Sequence, residues 1–306
     1  MKKTPKLLLA LIMLVALAAC SKPSSQQGSQ GQEGAFPMTV VDSMGISITF
    51  EKEPMNIVSM SPNTTESLFA IGAGDKIVAK SLWCNYPQAT DALETVGDSS
   101  TANIERIIEL GADLVVTSGV FGGDHLAALE QAGIPVYTTL YETVDDIYAS
   151  ILEFGKITGH DSEAQALVEK LEWDLAALQA KLEGVPSKRV FLDVMDLYSS
   201  SKKDILGNAL GLLKGDNIAY EYEYSSPQLS AEVVVERDPE VYICLFDQDY
   251  FVMPAGFESI TAFVEGNVYY VGFTDPEADI IARPGPRFVE GLEILAKFIH
   301  PELDWD

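Results

Sequence analysis

The stretch that decides the fold runs from Asp161 to Glu183 and has the sequence DSEAQALVEKLEWDLAALQAKLE. Its apolar residues recur at steps of three and four positions, which places them along one face of a helix; they are Ala164, Leu167, Val168, Leu171, Leu175, Leu178 and Leu182. Asp161 is a suitable cap for the first turn, and Gly184 and Pro186 are typical of a helix end. The sequence therefore predicts one long, uninterrupted helix.

Segments of similar size lie on both sides of this helix, and in each of them strand patterns alternate with helix patterns. Such alternation is typical of parallel sheets covered by helices. We therefore expect an α/β fold with an N-terminal lobe at 38–150, a connecting helix region at 151–185 and a C-terminal lobe at 186–306, with a cleft between the lobes. The alternative is an ordinary core helix within one larger α/β domain.

The start of the chain has the pattern of an export signal. A basic start is followed by an apolar run from Leu7 to Leu17 that is too short for a membrane span with its own flanks. The tetrapeptide Leu17-Ala18-Ala19-Cys20 resembles a bacterial lipobox, which implies cleavage of residues 1–19 and lipidation of Cys20. The alternative is a plain secretory signal with a chance cysteine.

Residues 20–37 are rich in Ser, Gln and Gly and predict a flexible tether, because they offer little apolar surface to bury. We therefore expect an exported protein that is anchored by lipid on the outer face of the cytoplasmic membrane, in a periplasm or at the cell surface.

Composition excludes several functions. The formal net charge is −26, so the surface repels the phosphate backbone of nucleic acids. The three histidines are not spaced for a zinc site, and hydrolase, zinc-protease and nucleotide-binding motifs are absent from the sequence. Cys84 and Cys244 do not make a disulfide framework, and the role of Cys84 stays open. We expect no catalytic residues, no metal site and no intrinsic cofactor.

Ligands of parallel sheets bind outside the carboxyl ends of the strands, and the loops predicted there are rich in aromatic residues. Flat aromatic side chains suit a flat macrocycle as ligand. The candidate ligand-binding residues are Asn63, Trp83, Asn85, Tyr86, Phe121, Tyr250, Phe251, Met253 and Arg283.

Two N-terminal segments carry a family resemblance. Residues 54–66, PMNIVSMSPNTTE, and residues 69–78, FAIGAGDKIV, look like the opening of the helical-backbone substrate-binding proteins of ABC importers. Residues 84–87, CNYP, resemble the ligand-side loop of the corrinoid-type members, and residues 229–232 and 283–287 match too. The resemblance implies two Rossmann-like lobes joined by a single backbone helix, the class III periplasmic-binding-protein architecture, which agrees with the pattern around Asp161–Glu183.

The same resemblance implies a monomeric binding protein that is not an enzyme, with an ABC permease and ATPase complex as partner. In proteins of this family, a glutamate from each lobe meets arginines on the permease. The matching positions in this chain are Glu66 and Glu232.

The ligands that the resemblance implies are metal chelates: corrinoids, ferric siderophores or haem. Few basic residues fall in the predicted cleft loops, Arg283 being the clearest, which favours a neutral or weakly charged corrinoid over polyanionic chelates. The alternatives are a ferric-siderophore or haem receptor of the same fold, with Tyr250 or Met253 as axial haem ligands. The alternatives from other functional classes are a lipid-anchored surface enzyme and an adhesion protein.

Overall fold

A short antiparallel hairpin begins the part of the chain that the computed structural model describes, residues 36–305. Its strands are β1 (Met38–Val41) and β2 (Ser47–Phe50). The Asp42 carboxylate closes the turn, because it accepts hydrogen bonds from the backbone N–H groups of Met44 and Ile46. The expected signal peptide, the lipidation site at Cys20 and most of the tether lie outside the described residues.

The first lobe contains a parallel sheet of five strands, which are β3 (Ile57–Ser59), β4 (Ile77–Lys80), β5 (Glu94–Thr95), β6 (Leu114–Ser118) and β7 (Val136–Thr139). The strand order is β5-β4-β3-β6-β7, so the direction of winding reverses between β3 and β6. The helices of this lobe are α1 (Pro62–Ala70), α2 (Ile104–Glu109), α3 (Gly123–Gln131) and α4 (Val144–Thr158).

The connecting helix α5 (Asp161–Lys181) confirms the predicted long helix, although it ends two residues earlier than expected. Asp161 is its first helical residue and not its cap, because Gly159 ends α4 in the left-handed conformation, at φ +70°, and His160 takes the capping position. The helix α4 has no counterpart in the sequence prediction. Its span crosses residue 150, and the domain boundaries at 150 and 185 stay a prediction.

The helices α4 and α5 lie against each other at a close approach. A Cβ atom on Gly155 of α4 would come within 2.5 Å of the Ala164 side chain of α5, so only glycine fits there without a shift. On the predicted apolar stripe of α5, Ala164, Val168, Leu171 and Leu178 are buried. This burial confirms the stripe.

The second lobe contains a parallel sheet of four strands, which are β8 (Lys188–Asp193), β9 (Gly215–Asn217), β10 (Val241–Cys244) and β11 (Val268–Tyr270). The strand order is β11-β10-β8-β9, and the winding reverses between β8 and β10. The helices of this lobe are α6 (Ile205–Leu212), α7 (Ala231–Arg237), α8 (Thr261–Glu265), α9 (Pro276–Ala282) and α10 (Phe288–Ile299).

One apolar core runs from the first sheet across α4 and α5 to the second sheet and α10. Its members include Ile57 in β3, Leu171 in α5, Leu192 in β8 and Leu292 in α10, all buried. Burying a leucine or isoleucine side chain stabilises a fold by about 1.5–3 kcal/mol, so the two lobes share a large part of their stabilisation along α5. None of the helices between residues 36 and 305 combines the length and apolar character that a membrane span requires.

Candidate functional site

The two winding reversals define the place where a ligand is expected. In a parallel sheet, a crevice opens outside the carboxyl ends of the two strands between which the winding reverses. In the first lobe those strands are β3 and β6, followed by Met60 and Gly119. In the second they are β8 and β10, followed by Val194 and Leu245. We call the carboxyl ends of both sheets, with the loops that follow them, the carboxyl edge.

Helix α1 begins directly after β3 and carries Glu66 on its second turn. The helix starts at Pro62, with Ser61 in the capping position, and Thr64 and Thr65 are its third and fourth residues. Proline suits the first helical position, since its missing N–H would be unpaired there anyway. Both threonine hydroxyls donate hydrogen bonds to the Ser61 carbonyl, at 2.9 and 3.0 Å.

The Glu66 carboxylate joins the two lobes. Arg287, directly before α10, donates from Nε to Oε2 and from Nη2 to Oε1, each at 2.8 Å, and Arg283 donates from Nη1 to Oε1 at 3.0 Å. The Glu66 side chain is only 2% exposed. We call these three residues the ion cluster. Burial acts against the charge of Arg287, but the hydrogen bonds and charge of Glu66 outweigh it and raise the pKa of this guanidinium.

The ion cluster also fixes the aromatic loop that follows β4. Arg283 donates to the Asn85 side-chain oxygen at 2.6 Å and pairs with Asp279 at 2.7 Å, and the Asn85 amide donates to Asp279 at 3.0 Å. The Arg287 guanidinium lies 4.0 Å from the centre of the Tyr86 ring, within range of a cation–π contact. The loop is therefore held against the second lobe by charged and aromatic contacts.

Three residues with predicted site roles are held by protein groups in the structure, and their predicted roles stay untested. Arg283 and Asn85 are predicted ligand contacts, yet in the structure each is engaged by protein groups. Glu66 is a predicted docking carboxylate, but it is buried and held by two arginines of its own chain, so no permease arginine can reach it without breaking those bonds. Glu232 is exposed in the first turn of α7, and its docking role stays a prediction.

Exposed aromatic and apolar side chains collect at the carboxyl edge. Trp83 is 62% exposed and Tyr250 is 65% exposed, and Tyr86 and Met253 are also exposed, as their predicted roles require. Four further residues of these loops are exposed and were not among the predicted site residues: Leu140, Tyr198, Val252 and Phe273. Each lies on a loop that follows the carboxyl end of a strand, which is the signal that could have identified them.

Three predicted ligand contacts lie deeper than expected. Phe121 is 4% exposed and packs in the core of the first lobe, with its ring 5.4 Å from that of His125. Phe251 is half-buried and stacks on Phe263 at 5.7 Å. Asn63 is buried at the start of α1, and Gly285 of the second lobe lies against it. Apolar neighbours cover the two phenylalanine rings, whereas Asn63 is covered where the two lobes contact each other.

Two cavities open at the carboxyl edge. One, of about 210 Å³, has walls from both lobes, with Gly119, Leu140 and Tyr141 on one side and Leu206 and Pro284 on the other. The second, of about 260 Å³, lies at the reversal between β8 and β10 and is lined by Asp193, Met195, Asp196, Leu197, Phe246, Tyr250, Phe251, Val252 and Pro254. Within residues 36–305, no group of three or more His, Cys, Asp or Glu side chains is placed to hold a metal ion.

Comparisons with known proteins agree with this architecture. The sequence profile described as periplasmic binding protein matches residues 57–274. An ABC transporter substrate-binding lipoprotein of Bacillus subtilis is 31% identical, over 97% of this chain and 96% of its own length. A cobalamin-binding protein of Halobacterium salinarum is 27% identical, over 91% of this chain and 78% of its own length.

Among solved structures, the periplasmic vitamin B12 binding protein of Vibrio cholerae superposes with a TM-score of 0.70 at 25% identity, over 81% of this chain and 98% of its own. Its fold therefore corresponds to both lobes and the connecting helix described above. Together with the profile match, which covers more than half of the sequence, this shows that the chain belongs to the periplasmic binding protein family, whose members are binding components of transport systems and not enzymes.

Proposed function

We propose that this protein is the extracytoplasmic solute-binding component of an ABC importer and that it captures a corrinoid and delivers it to the permease. The observation that carries the proposal is the set of exposed aromatic side chains at the carboxyl edge, on loops of both lobes. The relatives named for cobalamin and vitamin B12 binding support the same ligand class.

Exposed aromatic rings favour a large ligand with flat apolar surface. Trp83 in the first lobe and Tyr250 and Phe273 in the second present their rings to solvent, and the last two lie 6.2 Å apart. Covering a large aromatic side chain contributes about 1.5–3 kcal/mol to binding. A macrocycle that contacts aromatic rings of both lobes gains this contribution to binding from each ring that it covers.

The charges at the carboxyl edge favour a ligand without strong negative charge. Arg283 and Arg287 are neutralised by Glu66 and Asp279. Lys202 pairs with Glu223 at 2.7 Å. Haem propionates and catecholate siderophores are anionic and require cations that are not already paired, whereas the amide side chains of a corrinoid do not.

The direct test is to express residues 36–306 and identify the ligand that co-purifies, by absorbance and mass spectrometry. We expect a cobalt corrinoid with its visible absorption bands. Recovery of a ferric siderophore or of haem instead would contradict the corrinoid assignment while leaving the importer role intact.

We also propose that the protein is exported and anchored by lipid at Cys20. The lipobox-like sequence before Cys20 supports this, as does the Bacillus subtilis relative, which is named a lipoprotein and matches over 97% of this chain. When cells that express the full-length protein are grown with an alkyne fatty acid, the protein should become labelled and should sediment with the membranes. Cys20→Ser should abolish both; labelling that persists in this variant would exclude Cys20 as the attachment site.

A further inference from the structure

Asp193 is a buried carboxylate without a cationic partner. It ends β8, is 2% exposed and accepts hydrogen bonds from the Tyr242 hydroxyl at 2.6 Å and from the Leu197 N–H at 3.1 Å. Within residues 36–305, it forms no ion pair with a lysine, arginine or histidine. A buried charge costs free energy unless a partner compensates it. The backbone N–H of Met195 also donates to this carboxylate. All three protein donors are neutral, so the compensation is incomplete.

The surroundings do not lower this cost. Asp196, in the turn that follows β8, has the same charge, and Tyr242 and Cys244 of β10 are neutral groups whose pKa values burial raises. Burial likewise raises the pKa of Asp193, to about 6. The carboxylate is therefore mostly ionised at neutral pH although its site disfavours the charge.

Asp193 lines the 260 Å³ cavity at the reversal between β8 and β10. Most of the wall is apolar or aromatic, with Leu197, Phe246, Phe251 and Val252 among its members. A ligand site of this kind typically has apolar walls and a few fixed polar groups that orient the ligand. Asp193 has the position and the chemistry of such a group.

The turn that follows Asp193 has an unfavourable backbone conformation. Asp196 and Leu197 have φ angles of +51° and +62°, a region that non-glycine residues seldom adopt, above all one as bulky as leucine. Two further contacts hold the turn: the Leu229 N–H donates to the Leu197 carbonyl at 3.0 Å, and the Gln228 amide donates to the Asp196 carbonyl at 3.0 Å. Strain of this kind is retained where the surrounding structure enforces it, and here it fixes the position of the carboxylate.

We propose that Asp193 accepts a hydrogen bond from an N–H group of the bound ligand and that it selects amide-bearing chelates against carboxylate-bearing ones. The inference rests on the proposed function, since it assumes that the carboxyl edge binds a metal chelate. An ionised carboxylate offers about four acceptor positions, of which Tyr242, Leu197 and Met195 use three and leave one for a ligand. A ligand carboxylate at the same place would meet the buried Asp193 and the neighbouring, exposed Asp196, and like charges brought together reduce affinity.

The probes are cyanocobalamin and its separated monocarboxylic acids, in each of which one side-chain amide has become a carboxylate. Titrated into wild-type residues 36–306 at pH 7.5, at least one monoacid should bind about 10-fold or more weakly than the parent, the scale of one hydrogen bond to a charged group. Asp193→Asn should reduce that difference to about 3-fold or less, because asparagine can donate to a carboxylate as well as accept from an amide.

Asp113→Asn is the matched control. Asp113 also accepts two backbone hydrogen bonds, from Met55 and Asn56, but it lies at the amino end of β6, away from the carboxyl edge. This variant should keep the wild-type ratio. If Asp193→Asn does not fold, Asp193→Ser removes the charge with a smaller side chain. Equal affinity of the wild type for cyanocobalamin and all monoacids, or an unchanged ratio in the Asp193 variant, overturns the proposal.

Failure of the corrinoid assignment gives a different result. If the wild type binds haemin and not cyanocobalamin, the same comparison is made between haemin and its bis-amide. A preference for the bis-amide that Asp193→Asn removes would support the role of Asp193 although the ligand class is different. If the wild type prefers haemin to its bis-amide, the proposed role of Asp193 is overturned. If the wild type binds neither pair of probes, both the role of Asp193 and the corrinoid assignment are overturned.

Discussion

Glu66 and Arg287 form a bidentate salt bridge across the two lobes, with both contacts at 2.8 Å. Glu66 lies on α1, immediately after the strand at which the first sheet reverses, and Arg287 directly precedes α10 of the second lobe. Because Arg283 adds a third bond and holds the loop of Trp83, Asn85 and Tyr86, this pair connects the lobe contact to the aromatic face of the candidate site.

Removing the Glu66 carboxylate should strongly destabilise the fold. Glu66→Ala leaves two largely buried guanidinium groups without their shared partner, and breaking a buried ion pair in this way costs about 3–5 kcal/mol. The free energy of unfolding from urea titrations measures this. Glu109→Ala is the control, since Glu109 pairs with Arg106 at the surface, where solvent screens the charges and the pair contributes little to stability. Equal effects of the two variants would refute the structural role of the ion cluster.

Docking to the permease should depend on Glu232 and not on a free Glu66. We expect Glu232→Ala to reduce ligand uptake by cells while the affinity of the purified protein for the ligand stays unchanged. Glu236, exposed one turn further along α7, provides the control, and Glu236→Ala should transport normally. Normal uptake by the Glu232 variant, or loss of its ligand affinity, would remove the docking role.

Trp83 should contribute directly to binding. Trp83→Ala should weaken cyanocobalamin binding by about 1–3 kcal/mol, the scale of burying a large side chain, with calorimetric titration as the measurement. Trp173 on α5 is 71% exposed, on a helix that takes no part in the carboxyl edge, so Trp173→Ala should bind as the wild type does. A similar loss in both variants would mean that Trp83 has no specific role.

Stability should depend on pH through Asp193. Its pKa is about 6 in the folded protein, against about 4 for an unfolded chain, so the folded state binds the proton more tightly. The contribution of this proton to stability is full below about pH 4 and is lost as the pH rises through 6. From pH 5 to pH 8 the wild type should therefore lose roughly 1–1.5 kcal/mol relative to Asp193→Asn. A constant difference between the two proteins would contradict the raised pKa.

Ligand binding should change the shape of the protein little. The lobes share one core along α5, and bending a continuous helix breaks hydrogen bonds inside it. Small-angle scattering curves of residues 36–306 with and without ligand should nearly superpose. A large decrease in the radius of gyration on binding would contradict this rigidity.

The sequence predicts those features that local patterns encode. The apolar stripe of α5 and the alternation of strands and helices follow from periodicity, and the places of Trp83 and Tyr250 follow from their position after a strand. The partners of Glu66 do not, because Arg287 lies 221 positions away and only the packing of the two lobes brings them together. The role of Asp193 could not be predicted either, since in the sequence it is one polar residue at the end of an apolar strand.

The central claim is that the carboxyl edge binds a corrinoid, and one measurement tests it most directly. Residues 36–306 are titrated with cyanocobalamin, haemin and a ferric hydroxamate under identical conditions, and tryptophan fluorescence is followed. We expect saturable quenching by cyanocobalamin at one equivalent and affinities at least about 10-fold weaker for the other two, a difference of about 1.4 kcal/mol. Tight binding of haemin or the ferric hydroxamate with no response to cyanocobalamin would contradict the account.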